Sequence, residues 1–118
     1  MYQAGLGIQV IGEFSDHKGF DGLMLGWPNG CFHLEFTYCR SHPISPKPTP
    51  EDLMVLYIPE LNEWHAACAS MKEAGFSAVT PFNPYWESSG ATFEDHDGYQ
   101  TVLQCAKWEN TLAFETDA

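Results

Sequence analysis

At 118 residues, with 44% hydrophobic and 14% aromatic side chains, the chain is long enough for one domain with its own core and too apolar for intrinsic disorder. Sixteen acidic against five basic residues give a formal charge of −11, which excludes the basic stripe that nucleic-acid binding needs. No apolar run approaches the ~20 residues that span a bilayer, and the start lacks a secretory signal, so a soluble cytoplasmic protein is expected, with no nucleic-acid or membrane partner.

The chain opens MYQAGLG, which reads as the end of a helix with almost no helix before it. Residues 7–14, GIQVIGEF, alternate and are β-branched, SDHKGFDG supplies turn residues, and GLMLG resumes as a strand, so a hairpin is expected. After a turn at Pro28, Asn29 and Gly30, CFHLEFTY places Phe32, Leu34 and Phe36 on one face and His33, Glu35 and Thr37 on the other. Residues 41–52 hold four prolines and form a linker that neither a helix nor a central strand tolerates.

The second half begins with a strand, LMVLYIP. The segment ELNEWHAACASMKEAGF sets Leu61, Trp64, Cys68 and Met71 at helical spacing, with Lys72 in the last turn and Gly75 as the stop. There follow SAVTPF, a loop NPYWESSG, a strand ATFED, a turn HDG and a strand YQTVLQC. Ala4-Gly5-Leu6 and Ala74-Gly75-Phe76 therefore precede the same succession of elements, which points to a tandem repeat whose first copy starts partway.

On EFSDHKGFDGLMLG, FHLEFT, NPYW and TFEDHDGY the sequence resembles the vicinal oxygen chelate superfamily of glyoxalases, bleomycin-resistance proteins and extradiol dioxygenases, and particularly its YycE-like branch. The last of these resembles a turn common in the family, with His96 replacing a proline. The resemblance implies an α+β fold in which tandem βαβββ modules form a U-shaped mixed sheet around a cleft. Residues 1–40 would be a shortened first module lacking its first strand and most of its helix, and residues 53–108 the second module. Residues 109–118 would be a tail whose TLAFE run offers an extra strand.

In the metal-using members of that family, the ion is held on the first and last strands of each module. Glu35 matches one such ligand, but Val102 and Leu53 occupy two of the other positions and the first strand of the first module is missing. One matched ligand of four implies no metal and no cofactor. The resulting expectation is a binding protein for a small hydrophobic and possibly cationic molecule, without a catalytic residue and active as a homodimer. Its ligand would touch His33, Glu35, Tyr57, Tyr85, Trp86, Thr92, Glu94, Val102 and Gln104. The rival expectation is a metal-dependent lyase, isomerase or dioxygenase that uses His33 and Glu35 with donors from a second chain. Cys31 and Cys105 read as small buried apolar groups in either case.

Overall fold

A computed structural model describes residues 1–109; the TLAFE run lies outside the described residues. The elements are helix α1 (Tyr2–Leu6), strands β1 (Gln9–His17), β2 (Phe20–Gly26) and β3 (His33–Cys39), then β4 (Leu53–Tyr57), helix α2 (Leu61–Glu73), β5 (Ser77–Val79), a 3-10 turn (Pro84–Trp86), β6 (Gly90–Glu94) and β7 (Gln100–Gln104). They form an α+β fold with two sheets, of three strands in the order β1-β2-β3 and of four in the order β4-β7-β6-β5. The second half is thus strand, helix and three strands. The first half supplies the helix end and three strands of the same succession. No helix among the described residues is long and apolar enough to cross a membrane.

α2 forms where the spacing predicts it. Glu60 caps its first turn by accepting the Glu63 backbone N–H at 2.7 Å. At its end Gly75 adopts φ +100, while the Phe76 N–H bonds to the Met71 carbonyl and the Gly75 N–H to that of Lys72. These two bonds satisfy carbonyls that the helix leaves free. The inward stripe is shorter than expected. Cys68 and Met71 are buried and Trp64 partly so, its indole N–H donating to the Leu103 carbonyl at 2.7 Å. Leu61, at the first helical position, is 56% exposed because the helix enters from solvent before it reaches the sheet.

The core lies between α2 and the second sheet, where Cys68, Met71, Phe76, Phe93 and Leu103 pack together. α1 joins it from the first half by packing on α2. A Cβ at Gly5 would stand 2.9 Å from both Met71 Sδ and the Phe76 ring, so a hydrogen atom there is what lets the two helices approach. The glycine that ends α1 is Gly7, at φ +66. By its role Gly7 is the counterpart of Gly75, and each stands two residues ahead of a strand. The Ala-Gly match between the halves is therefore offset by two from the structural equivalence.

β1 runs three residues beyond the expected strand, to His17, and the turn shrinks to Lys18 and Gly19, both at positive φ. A register shift between Phe14 and His17 absorbs the polar run. Asp21 fastens it. Its carboxylate accepts the Asp16 backbone N–H at 2.9 Å and Arg40 Nη2 at 2.8 Å, and the bond from Arg40 holds its carboxyl down at about 2. Cys31 departs from the sequence expectation as well, being exposed in the loop between β2 and β3.

Candidate functional site

The strand alternation of β3 sends Leu34 and Phe36 to the side where α1 packs, with the Phe36 ring 5.4 Å from that of Tyr2. Glu35 and His33 face the other way, and His33 Nε2 lies 3.3 Å from Glu35 Oε1 with both side chains about half exposed. β4 and β7 run parallel, Leu53 opposite Gln100 and Met54 opposite Thr101. That pairing brings the acids before β4, Glu51 and Asp52, beside those before β7, Asp95 and Asp97.

A cleft of about 610 Å³ lies where these segments meet β3. Its acidic residues are Glu51, Asp52, Asp95 and Asp97, with Glu35 of β3 at its border, and among the described residues no lysine, arginine or histidine lines it. Tyr2, Phe36, Tyr99, Leu53 and Met54 supply its aromatic and apolar surface. The Tyr2 phenol donates to Asp95 Oδ2 at 2.6 Å. Burial, reinforced by that bond and by the charges of Asp95 and Asp97, pushes the phenol well above its usual range, and Thr101 offsets part of the rise. Thr101, 1% exposed, stands on the cleft wall with its hydroxyl turned to the Tyr2 phenol. The buried side-chain oxygen of Gln100 beside it has no hydrogen-bond partner among the described residues.

A second cavity of about 370 Å³ is bounded by α1, the Trp27 and Phe32 rings, residues 56–58 and α2. Its lining is largely apolar, and the polar side-chain groups of its lining residues are the Tyr57 and Ser70 hydroxyls and the Trp27 indole N–H.

Of the residues expected from sequence to bind a ligand, Glu35 lines the larger cleft and Tyr57 the smaller cavity, where its ring packs 5.7 Å from Trp108. Thr92, Val102 and Gln104 share the face of the second sheet turned away from α2. They are 2%, 0% and 5% exposed, and the Trp86 carbonyl and the Gln104 amide crowd the same point above Gly90. They form a closed patch and line neither cavity. Glu94 accepts a hydrogen bond from Gln100 Nε2 at 3.1 Å. Tyr85 stacks edge-on against Trp86 and is 64% exposed, outside both cavities. The sequence reading missed Tyr2, Glu51, Asp52, Asp95, Asp97, Tyr99 and Thr101. Two acid-rich segments, each directly ahead of a strand in the second half, were the available signal.

The donors present do not fit a divalent ion. Val102 and Leu53 offer hydrocarbon where the resemblance implies ligands, and His33 and Glu35 are two donors paired with each other. Among the described residues no three histidine, cysteine or acidic side chains converge. Burial raises the Cys68 thiol pKa and thereby disfavours the thiolate.

Residues 1–37 match the YycE-like N-terminal domain and residues 51–105 the YycE-like C-terminal domain. The uncharacterized protein YycE of Bacillus subtilis (strain 168) is 42% identical over 106 residues, which are 90% of this chain and 76% of that protein. A crystal structure of a Bacillus subtilis YycE protein, described as of unknown function and grouped with glyoxalase and fosfomycin-resistance proteins, is 40% identical with a TM-score of 0.83, covering 92% of this chain and 80% of that one. TnmS3, an antibiotic-binding protein from Streptomyces sp. CB03234, shares the fold at 20% identity and a TM-score of 0.55, over 87% of this chain and 79% of its own. The chain belongs to the YycE-like family of the glyoxalase/bleomycin-resistance/dioxygenase superfamily, the vicinal oxygen chelate proteins.

Proposed function

We propose that the protein binds a small apolar molecule carrying positive charge in the cleft between β3 and the start of β4, without a divalent ion and without chemistry on the ligand. The observation that carries this reading is the make-up of the cleft wall, with five acidic residues, no lysine, arginine or histidine among the described residues, and Tyr2, Phe36 and Tyr99 beside them. Carboxylates attract a cation, and ring faces add to that attraction where water is displaced. The volume lies in the range of small-molecule sites, about 300–1,000 Å³. That TnmS3 is an antibiotic-binding protein shows a protein of this fold serving as a small-molecule binder.

Calorimetric titration with benzyltrimethylammonium and its neutral carbon isostere tests the reading. The cation is expected to bind about tenfold more tightly at low salt, a difference of about 1.4 kcal/mol. That advantage should shrink at high salt and in the double variant Glu35→Gln, Asp52→Asn. Equal affinity for the cation and its isostere would remove the charge argument.

A further inference from the structure

The connection between β2 and β3 carries a dipeptide that the cleft does not use. The turn Trp27-Pro28-Asn29-Gly30 closes on a bond from the Gly30 N–H to the Trp27 carbonyl at 2.9 Å. Pro28 takes its first central position and Asn29, at φ +63, its second. Asparagine is among the few side chains that hold the left-handed region as single residues. A Cβ on Gly30 would stand 3.0 Å from the Trp27 carbonyl, so the turn also selects glycine at its last position. All four residues are exposed.

Those two choices set a reactive pair in solvent. The side-chain carbonyl carbon of an asparagine is open to attack by the backbone nitrogen of the next residue, which closes a five-membered ring. Glycine hinders that attack least, because no side chain stands beside its nitrogen. The other asparagines among the described residues are blocked. Asn83 precedes Pro84, whose nitrogen carries no proton, and its side chain accepts the Tyr85 N–H at 3.0 Å. Asn62 lies in the first turn of α2, and the nitrogen that would attack it, that of Glu63, donates to the Glu60 carboxylate at 2.7 Å. The Gly30 nitrogen is held by the turn bond, for which water competes at an exposed site.

We propose that Asn29-Gly30 is a site of spontaneous covalent modification, at which loss of ammonia adds a negative charge to the turn. Hydroxide takes the Gly30 amide proton, and the nitrogen bonds to the Asn29 side-chain carbonyl carbon. The bond from that carbon to Nδ2 breaks, and Nδ2 takes up protons from water and leaves as ammonia. Water then opens the cyclic imide at one of its two carbonyls, with no change of oxidation state. Opening at the side-chain carbonyl gives aspartate. Opening at the main-chain carbonyl gives isoaspartate, which routes the backbone through an additional methylene. Trp27 and Phe32 flank the modified residue with their rings 5.8 Å apart and edge-on, and both line the smaller cavity. Isoaspartate lengthens the turn between them and draws the two rings apart, whereas aspartate changes the charge alone.

The test holds the full chain in mildly alkaline buffer beside a free capped peptide of residues 26–33 and follows both by peptide mass spectrometry. Asn29 of the full chain is expected to convert no more than about tenfold more slowly than the peptide, since one exposed hydrogen bond stands in the way. Asn62 and Asn83 should convert at most about a tenth as fast as Asn29. The isoaspartyl product should accept a methyl group from isoaspartyl methyltransferase. The variant Asn29→Gly tolerates the same φ and lacks the carboxamide, so it should not form the acidic isoform of the parent. If Asn29 keeps its amide beyond that tenfold span, or the Asn29→Gly chain forms the acidic isoform equally fast, the proposal falls. By nuclear magnetic resonance the contact between the Trp27 and Phe32 rings should persist in Asn29→Asp and weaken in the isoaspartyl form. Equal contacts in both would overturn the lengthening of the turn.

Discussion

Tyr2 ties three elements together. Its ring lies 5.0 Å from that of Phe76 at the end of α2 and 5.4 Å from that of Phe36 on β3, and its hydroxyl bonds to Asp95 ahead of β7. Because the folded state raises the phenol above its unfolded value near 10, the neutral form is the stabilising one. The contribution is fully present below about pH 10 and is lost as pH rises beyond it. Tyr2→Phe keeps both ring contacts and removes the proton. The variant is expected to lose about 1–2 kcal/mol near neutral pH and to show a shallower fall in stability above pH 10, read by urea unfolding across that range. The tyrosinate absorbance of the parent should contain one tyrosine that titrates after the rest. An alkaline limb identical in the two proteins would show that Asp95 does not hold the phenol proton.

At the scale of the elements, the contact between α1 and α2 depends on a side chain that is absent. Ala at position 5 would set a methyl against Met71, which is fully buried, and against the ring of Phe76, which also packs edge-on with Tyr2. Gly5→Ala is expected to cost about 1–3 kcal/mol through overpacking. A companion variant, Gly5→Ala with Met71→Ala, should lose less than the two single effects combined, because the second change makes room for the first. Thermal unfolding of the three variants measures this coupling, and strict additivity would refute it. The sequence showed that the first half starts at a helix end, yet it could not show which glycine ends the helix. Gly5 and Gly7 look alike on paper, and only φ separates a residue at a left-handed stop from one that makes room for a neighbour. α2 was legible because apolar spacing, an acidic first turn and a terminal glycine all agreed. The extent of β1 was not, because Ser15, Asp16 and His17 are turn formers that a bulge and the Asp21 carboxylate hold in the strand. Glu35 could be identified from its strand alone. The rest of the cleft comes from the parallel pairing of β4 with β7, a contact between segments about fifty residues apart that no local pattern announces.

Across the whole molecule the two sheets are unequally supported. The second is covered by the thirteen residues of α2, and Phe93, Val102 and Leu103 are fully buried in it. The first meets a helix of only five residues, and Val10, Phe36 and Tyr38 on its strands are between 40% and 52% exposed. Burial of apolar area is the main term that holds a strand in place, so local opening should require less free energy in the first sheet than in the second. Native-state hydrogen exchange is expected to show amides of β6 and β7 exchanging only through global unfolding, and those of β1 at least about tenfold faster. Met71→Ala sharpens the contrast. It should cost about 2–5 kcal/mol of global stability and bring exchange in β6 and β7 towards that of β1, since the residue it empties packs against Phe93 and Leu103 and not against the first hairpin. If β1 already exchanges as slowly as β7 in the parent chain, the first sheet draws its stability from a contact other than α1. The outer edge of β3 is then the place to look, because among the described residues no strand pairs with it.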